Sequence, residues 1–153
     1  MSGLALLLKL AEHRADEAAA AWRQLAARYA DAKHKLQQLE RHRDAYRELT
    51  DSGLRDGMPA GAIAARIGFV GQIEAVLVQQ VGELERLEAA CARQWQALHE
   101  ARGERRRYEI LAGRVAARAA AASSRRQRLE TEEALLRGAP GPAAIFDAHP
   151  SDE

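Results

Sequence analysis

The sequence predicts an all-α protein: a two-helix antiparallel coiled-coil hairpin with a longer second helix and a disordered C-terminal tail. Three observations carry this reading. Ala (34), Arg (20), Leu (18), Glu (15) and Lys (3) supply 90 of the 153 residues, a composition that, with helical periodicity, marks coiled coils and very long helices. Two long stretches lack proline and place apolar residues every 3.5 positions. A single Gly/Pro cluster near residue 55 separates them. The length suits one domain. The expected layout is a hairpin over 1–137, with helices at about 4–50 and 59–137 and a loop at about 51–58, followed by a tail over 138–153.

The first helix is read from a seam whose steps alternate four and three: Leu4, Leu8, Ala11, Ala15, Ala18, Trp22, Leu25, Tyr29, Ala32, Leu36, Leu39, Arg43 and Tyr46. Twelve of these thirteen positions are apolar or aromatic, which meets the demand of a left-handed coiled coil. Leu4 to Leu8 are not followed by a signal-peptide pattern, because Lys9, Glu12, His13 and Arg14 come at once. They read as the opening turns of an amphipathic helix. Thr50-Asp51-Ser52-Gly53 is expected to stop this helix, and Gly57 and Pro59 to mark the start of the next.

The second seam reads Val70, Ile73, Leu77, Gln80, Leu84, Leu87, Cys91, Gln94, Leu98, Ala101, Arg105, Tyr108, Ala112 and Val115. A short connection favours antiparallel neighbours. Folding about residue 54 sets paired residue numbers to add to about 109, by symmetry about the loop, as expected for short helix–helix connections. Ala18 then faces Cys91, Ala15 the Trp95 region, Leu25 faces Leu84, and Leu4 lies near Arg105. Roughly 30 residues of the second helix, or about 45 Å at 1.5 Å per residue, would extend past the first.

Net charge is +1, so the chain as a whole is no polyanion binder. The distribution is uneven. Residues 102–128 hold nine arginines against Glu104 and Glu109, and residues 129–153 hold six acids and one Arg. Three readings stand for the Arg-rich run: nucleic-acid binding, a solvated face, and docking on an acidic protein surface. Aromatics beyond Tyr108 are missing from the run, and no basic-zipper dimer signature accompanies it.

Enzymatic chemistry is not expected. No phosphate loop, nucleophile elbow, HExxH or paired-cysteine motif occurs. His13, His34, His42, His99 and His149 form no i,i+4 pair with one another, so no metal and no cofactor are expected. Cys91 lies on the seam as a core thiol and rules out an intrachain disulfide. Trp22 is read as core packing and Trp95 as bordering the other seam. No run of 18 uninterrupted apolar residues exists, so no membrane span is expected.

Several segments together resemble the FliJ family of the flagellar type III export apparatus. Residues 36–46, Leu-Gln-Gln-Leu-Glu-Arg-His-Arg-Asp-Ala-Tyr, are similar to the end of that family's first helix. Residues 69–80, Phe-Val-Gly-Gln-Ile-Glu-Ala-Val-Leu-Val-Gln-Gln, are similar to the start of its second. Trp95 with the Arg/Glu-rich stretch after it, Arg125-Arg126-Gln127-Arg128, and the opening Leu-rich turn through Ala11 to Glu17 complete the resemblance over about residues 4–135.

The resemblance implies a non-enzymatic, cytoplasmic, two-stranded antiparallel coiled coil, associated with the inner-membrane export apparatus through its partners alone. It implies binding to the hexameric export ATPase (FliI) as a central stalk, promotion of ring assembly and activity, and contacts with the export gate protein FlhA and with export chaperones. The family's gate-binding positions map onto Lys35, Leu39, His42 and Tyr46 of the first helix and Phe69, Ile73, Val76 and Gln80 of the second. For the ATPase ring the corresponding candidates are Leu4, Leu8, Arg105, Arg106, Arg107, Arg114 and Arg118. Leu39, Tyr46 and Ile73 also fall on the seam, so packing accounts for them equally well. The equivalent rod of a virulence secretion system and a basic coiled-coil nucleic-acid binder or adaptor remain as alternatives.

Overall fold

The computed structural model describes residues 3–138. Helix α1 spans Gly3–Arg55 and helix α2 spans Ala60–Gly138. The expected tail lies outside the described residues apart from Gly138, which ends α2. Residues 1–106 form one compact unit, the antiparallel hairpin, and the part of α2 beyond Arg106 belongs to a second.

The hairpin is built on the two seams. Every seam position from Leu4 to Tyr46 on α1 and from Val70 to Arg105 on α2 is buried or half-buried. The tightest packing falls at Ala11, Ala15, Val70, Ile73, Leu77 and Leu98. The composition favours helix locally, but isolated helices are marginal in water, and most of the stability comes from burying the apolar stripe against a partner. Cys91 is half-buried on that stripe. In the second unit Tyr108 and Ala112 are half-buried, and every residue from Gly113 to Gly138 is exposed, Val115 included.

Helix α1 runs five residues past the expected stop, and the connection shortens to Asp56–Pro59. The Thr50-Asp51-Ser52-Gly53 run does not break the helix, because each residue finds a helical role. Thr50 is buried and its Oγ1 donates to the Tyr46 carbonyl at 2.7 Å. Gly53 is buried against Met58, whose Cε and Sδ lie 2.9 and 3.0 Å from where a β-carbon would sit. The absent side chain there lets Met58 pack on the helix. Termination comes at Gly57, in the left-handed region at φ 76°. The Met58 N–H donates to the Gly53 carbonyl at 2.9 Å, the six-to-one bond of a Schellman cap. Pro59 then accepts from the Ala62 and Ile63 N–H groups and opens α2. Arg66 Nη1 reaches across to the Leu49 carbonyl at 2.9 Å.

The later turn moves the register. Tyr46 stacks on Phe69 and Trp22 on Trp95, with ring centroids 4.6 and 5.2 Å apart, so paired numbers add to 115 and 117 rather than about 109. The Ala18 carbonyl accepts from Gln94 Nε2 at 3.3 Å, one turn beyond Cys91. Trp95 pairs with Trp22 rather than with Ala15. Arg14, and not Leu4, stands beside the Glu104–Arg105 turn, 3.5 Å from Glu104. The displacement is close to one heptad, which returns seam residues to the seam. For that reason the burial pattern agrees with the sequence while the individual partners do not.

The membrane reading also changes. One 18-residue window of α2 reaches a mean hydropathy of 1.5 with no more than two charged residues, and 17% of it is buried. It lies where Arg66 and Glu74 are the only charges between Ala60 and Gly82. By length and composition this stretch is apolar enough to cross a bilayer, because a mean over the window tolerates Gly and Gln that interrupt a purely apolar run.

Three outcomes test this fold. Leu98 is 1% exposed, so Leu98→Ala lowers unfolding free energy by about 3 kcal/mol in a denaturant titration. Gly103 has open space where a β-carbon would lie, so Gly103→Ala raises stability by about 0.5–1 kcal/mol. In a Cys91→Ser background, cysteines placed at Ala18 and Gln94 cross-link with a short reagent faster than Ala18→Cys does with the native Cys91. The reverse order would contradict the register.

Candidate functional site

The hairpin seam divides the surface near the turn into two flanks. On one flank the residues just before the seam positions are found: Lys35 and His42 on α1, Phe69 and Val76 on α2. All four are exposed, with Phe69 and Val76 at 43% and 41%. Leu39, Tyr46 and Gln80 are half-buried at their edge, and Ile73 is buried in the seam. The expected gate-binding set therefore separates into four surface side chains, three edge residues and one core residue.

The register decides who touches whom. Phe69 rests on the Tyr46 ring at an interplanar angle of 54°, whereas paired numbers adding to about 109 would set it by Leu39 and His42. Lys35 and Gln80 line one shallow cleft with Arg28, Asp31, Ala32, Glu83 and Leu87. An exposed aromatic held by a second aromatic is a well-ordered apolar anchor, of the kind that dominates protein interfaces.

The opposite flank holds the residues just after the seam positions and was not singled out in the sequence. Leu54, Ile67, Val78 and Val81 are exposed there. Two adjoining clefts of about 470 and 430 Å³ run along it and share Arg47 and Glu74, which form an ion pair across the helices. The available signal was a break in pattern: a coiled-coil flank is ordinarily polar, and positions 67, 78 and 81 are Ile, Val and Val.

Further from the turn, Trp95 is 45% exposed and stacks on Trp22, with His99 5.9 Å from it. Leu4 and Leu8 are half-buried, Arg105 is half-buried and Arg106 is exposed. In the second unit Arg107, Arg114 and Arg118 are exposed. Arg114 and Arg118 are four residues apart on one helical face, a like-charge spacing that disfavours an isolated helix. The acids of the exposed stretch, Glu130, Glu132 and Glu133, come later in the chain, and Glu133 lies 3.9 Å from Arg137. Among the described residues no cluster of three His, Cys, Asp or Glu side chains is placed to hold a metal.

Comparison with curated proteins and with solved structures finds no match. The family model described as the flagellar FliJ protein matches residues 1–139. The match identifies the chain, an all-helical hairpin with a longer second helix, as a member of the FliJ family, a component of the flagellar export apparatus.

Proposed function

We propose that this protein is a mechanical and allosteric coupler: it binds the export ATPase ring (FliI) as a central stalk and promotes its assembly and activity. It contacts the export gate protein FlhA through the flank beside the turn, and it also engages export chaperones. In this reading it meets the inner membrane through those partners alone. The observation that carries the reading is the exposed Phe69 ring seated on Tyr46 in a chain of the FliJ family.

Lys35, His42, Phe69 and Val76 supply the gate contact. Leu39, Tyr46 and Gln80 shape its edge, and Ile73 supports it from within the seam. Phe69 has the larger role because its ring desolvates the most area on binding. Leu4, Leu8, Arg105 and Arg106 are the ring-facing candidates of the hairpin unit. Arg107, Arg114 and Arg118 are those of the exposed helical stretch. Exposed arginines near one another suit an acidic or polar loop, where charge-assisted hydrogen bonds gain most.

Truncating a central aromatic anchor commonly costs about 2 kcal/mol or more at an interface. Phe69→Ala therefore weakens capture of the gate protein by about 30-fold, while helicity stays near wild type and the unfolding midpoint falls modestly with loss of the Tyr46 contact. Capture at full strength would remove Phe69 from the gate contact. Charge reversal at Arg114 and Arg118 abolishes stimulation of the partner ATPase in a turnover assay and leaves gate capture intact. Undiminished stimulation would take the arginines out of the ring contact. Retention of DNA or RNA with a steep salt dependence would move them to a nucleic-acid role.

A further inference from the structure

The exposed stretch of α2 carries charge of one sign. From Ile110 to Leu129 there are five arginines and no acid, and none of the five forms an ion pair with a described residue. Three- and four-residue steps bring Val115, Arg118, Ala122, Arg125 and Leu129 onto one face, with Leu136 seven residues further. Val115, Leu129 and Leu136 are 54, 60 and 88% exposed. Hydrocarbon and guanidinium thus share a face that no described residue covers. Its complement is an acidic, partly apolar segment, and the sequence places one directly after the helix. Residues 139–153 contain Asp147, Asp152 and Glu153, no Lys or Arg, and the pair Ile145-Phe146. Pro140-Gly141-Pro142 stands between that segment and Gly138, a composition suited to chain reversal.

We propose that residues 143–153 fold back as a strap along this face, with Phe146 against Leu129 and Leu136 and the acids on the arginines. Charge and reach both carry the argument. Extended chain advances about 3.3 Å per residue, against 1.5 Å along a helix. A reversal over residues 139–142 sets Ala143 level with Gly138. Phe146 then falls about 10 Å back, level with about residue 131 and so between Leu129 and Leu136. Asp147 falls about 13 Å back, beside Arg125 and Arg128, and Asp152 about 30 Å back, level with Arg118. The apolar pair of the tail thus meets the apolar end of the face, and its acids meet the arginines in order. Each carboxylate gains a charge-assisted hydrogen bond, and the Phe146 ring leaves water. The ring contact proposed above has to displace the strap; that consequence rests on the ring reading, whereas the strap does not.

Cross-linking in the full chain tests the strap. In a Cys91→Ser background, Ser151→Cys is combined with Ala122→Cys on the arginine-lined face or with Ala120→Cys on the opposite face. Each is treated with a short bismaleimide. The Ala122 pair is expected to close about fivefold faster or more, at the mass of one chain. Arg118→Glu with Arg125→Glu removes that preference, and adding Asp147→Arg with Asp152→Arg restores it. Circular dichroism confirms that every variant remains helical. Equal rates in the two parent pairs overturn the proposal, as does a product of twice the mass, which would place the tail on a second copy. A preference untouched by the charge reversals also overturns it. Poly-glutamate supplies a second readout. Phe146→Ser leaves every charge in place and is expected to bind this probe about fivefold more tightly than wild type, because the strap no longer covers the arginines. Unchanged affinity overturns the strap. Neither assay contains the ATPase, so failure of the strap and failure of the ring reading are told apart.

Discussion

The structure depends on the burial of one apolar stripe on each of two helices against the other. Neither helix has a core of its own. Ala, Leu, Arg and Glu favour the helix locally, but even alanine-rich helices are only marginally stable alone in water, and the glycines of α2 take away part of that propensity. What holds residues 3–106 together is the seam from Leu4 to Tyr46 against the seam from Val70 to Arg105, closed at the turn by Thr50, Gly53 and Met58. Cross-helix ion pairs such as Arg14–Glu104 and Arg47–Glu74 lie on the rim, where solvent screens them. They set register and partner choice more than stability.

Every candidate surface near the turn is a by-product of that constraint. A two-helix seam covers one side of each helix and leaves the two flanks open. Here one flank displays Phe69 and Val76 and the other displays Ile67, Val78 and Val81. Polar residues would have been the cheap choice at such positions. Apolar ones at about half exposure are surfaces awaiting cover, near the turn and also at the start of α1, where Leu6, Leu7 and Leu10 are exposed. The exposed stretch after Gly113 adds arginine to its exposed hydrocarbon, with Arg114, Arg118, Arg125, Arg126 and Arg128 beside Val115 and Leu129.

Much of this was legible in the residues. The 3.5-residue repeat identified the helices, and all the seam positions it named within the hairpin are buried or half-buried. The position of the turn was not legible. Thr, Asp, Ser and Gly in succession read as a stop, because each is a common helix terminator; in the fold Thr50 back-bonds to Tyr46 and Gly53 receives Met58. The partners of Phe69 and Trp95 were misplaced for the same reason. The candidate gate residues came from resemblance, and the fold sorts them by exposure, with Ile73 withdrawn into the seam. The apolar flank across from them was overlooked because a short apolar run satisfied the seam pattern and concealed the extra residues beside it.

The sequence by itself determined the two helices, their antiparallel order, the faces they bury and the family resemblance, since these follow from period and composition, which are local properties. Tertiary structure alone decided the register and therefore which side chains meet. A heptad pattern is unchanged by a shift of seven, so burial gives nearly the same answer for neighbouring registers. The choice between them rests on the geometry of a four-residue turn, where one left-handed glycine and one methionine over another glycine fix where the chain reverses.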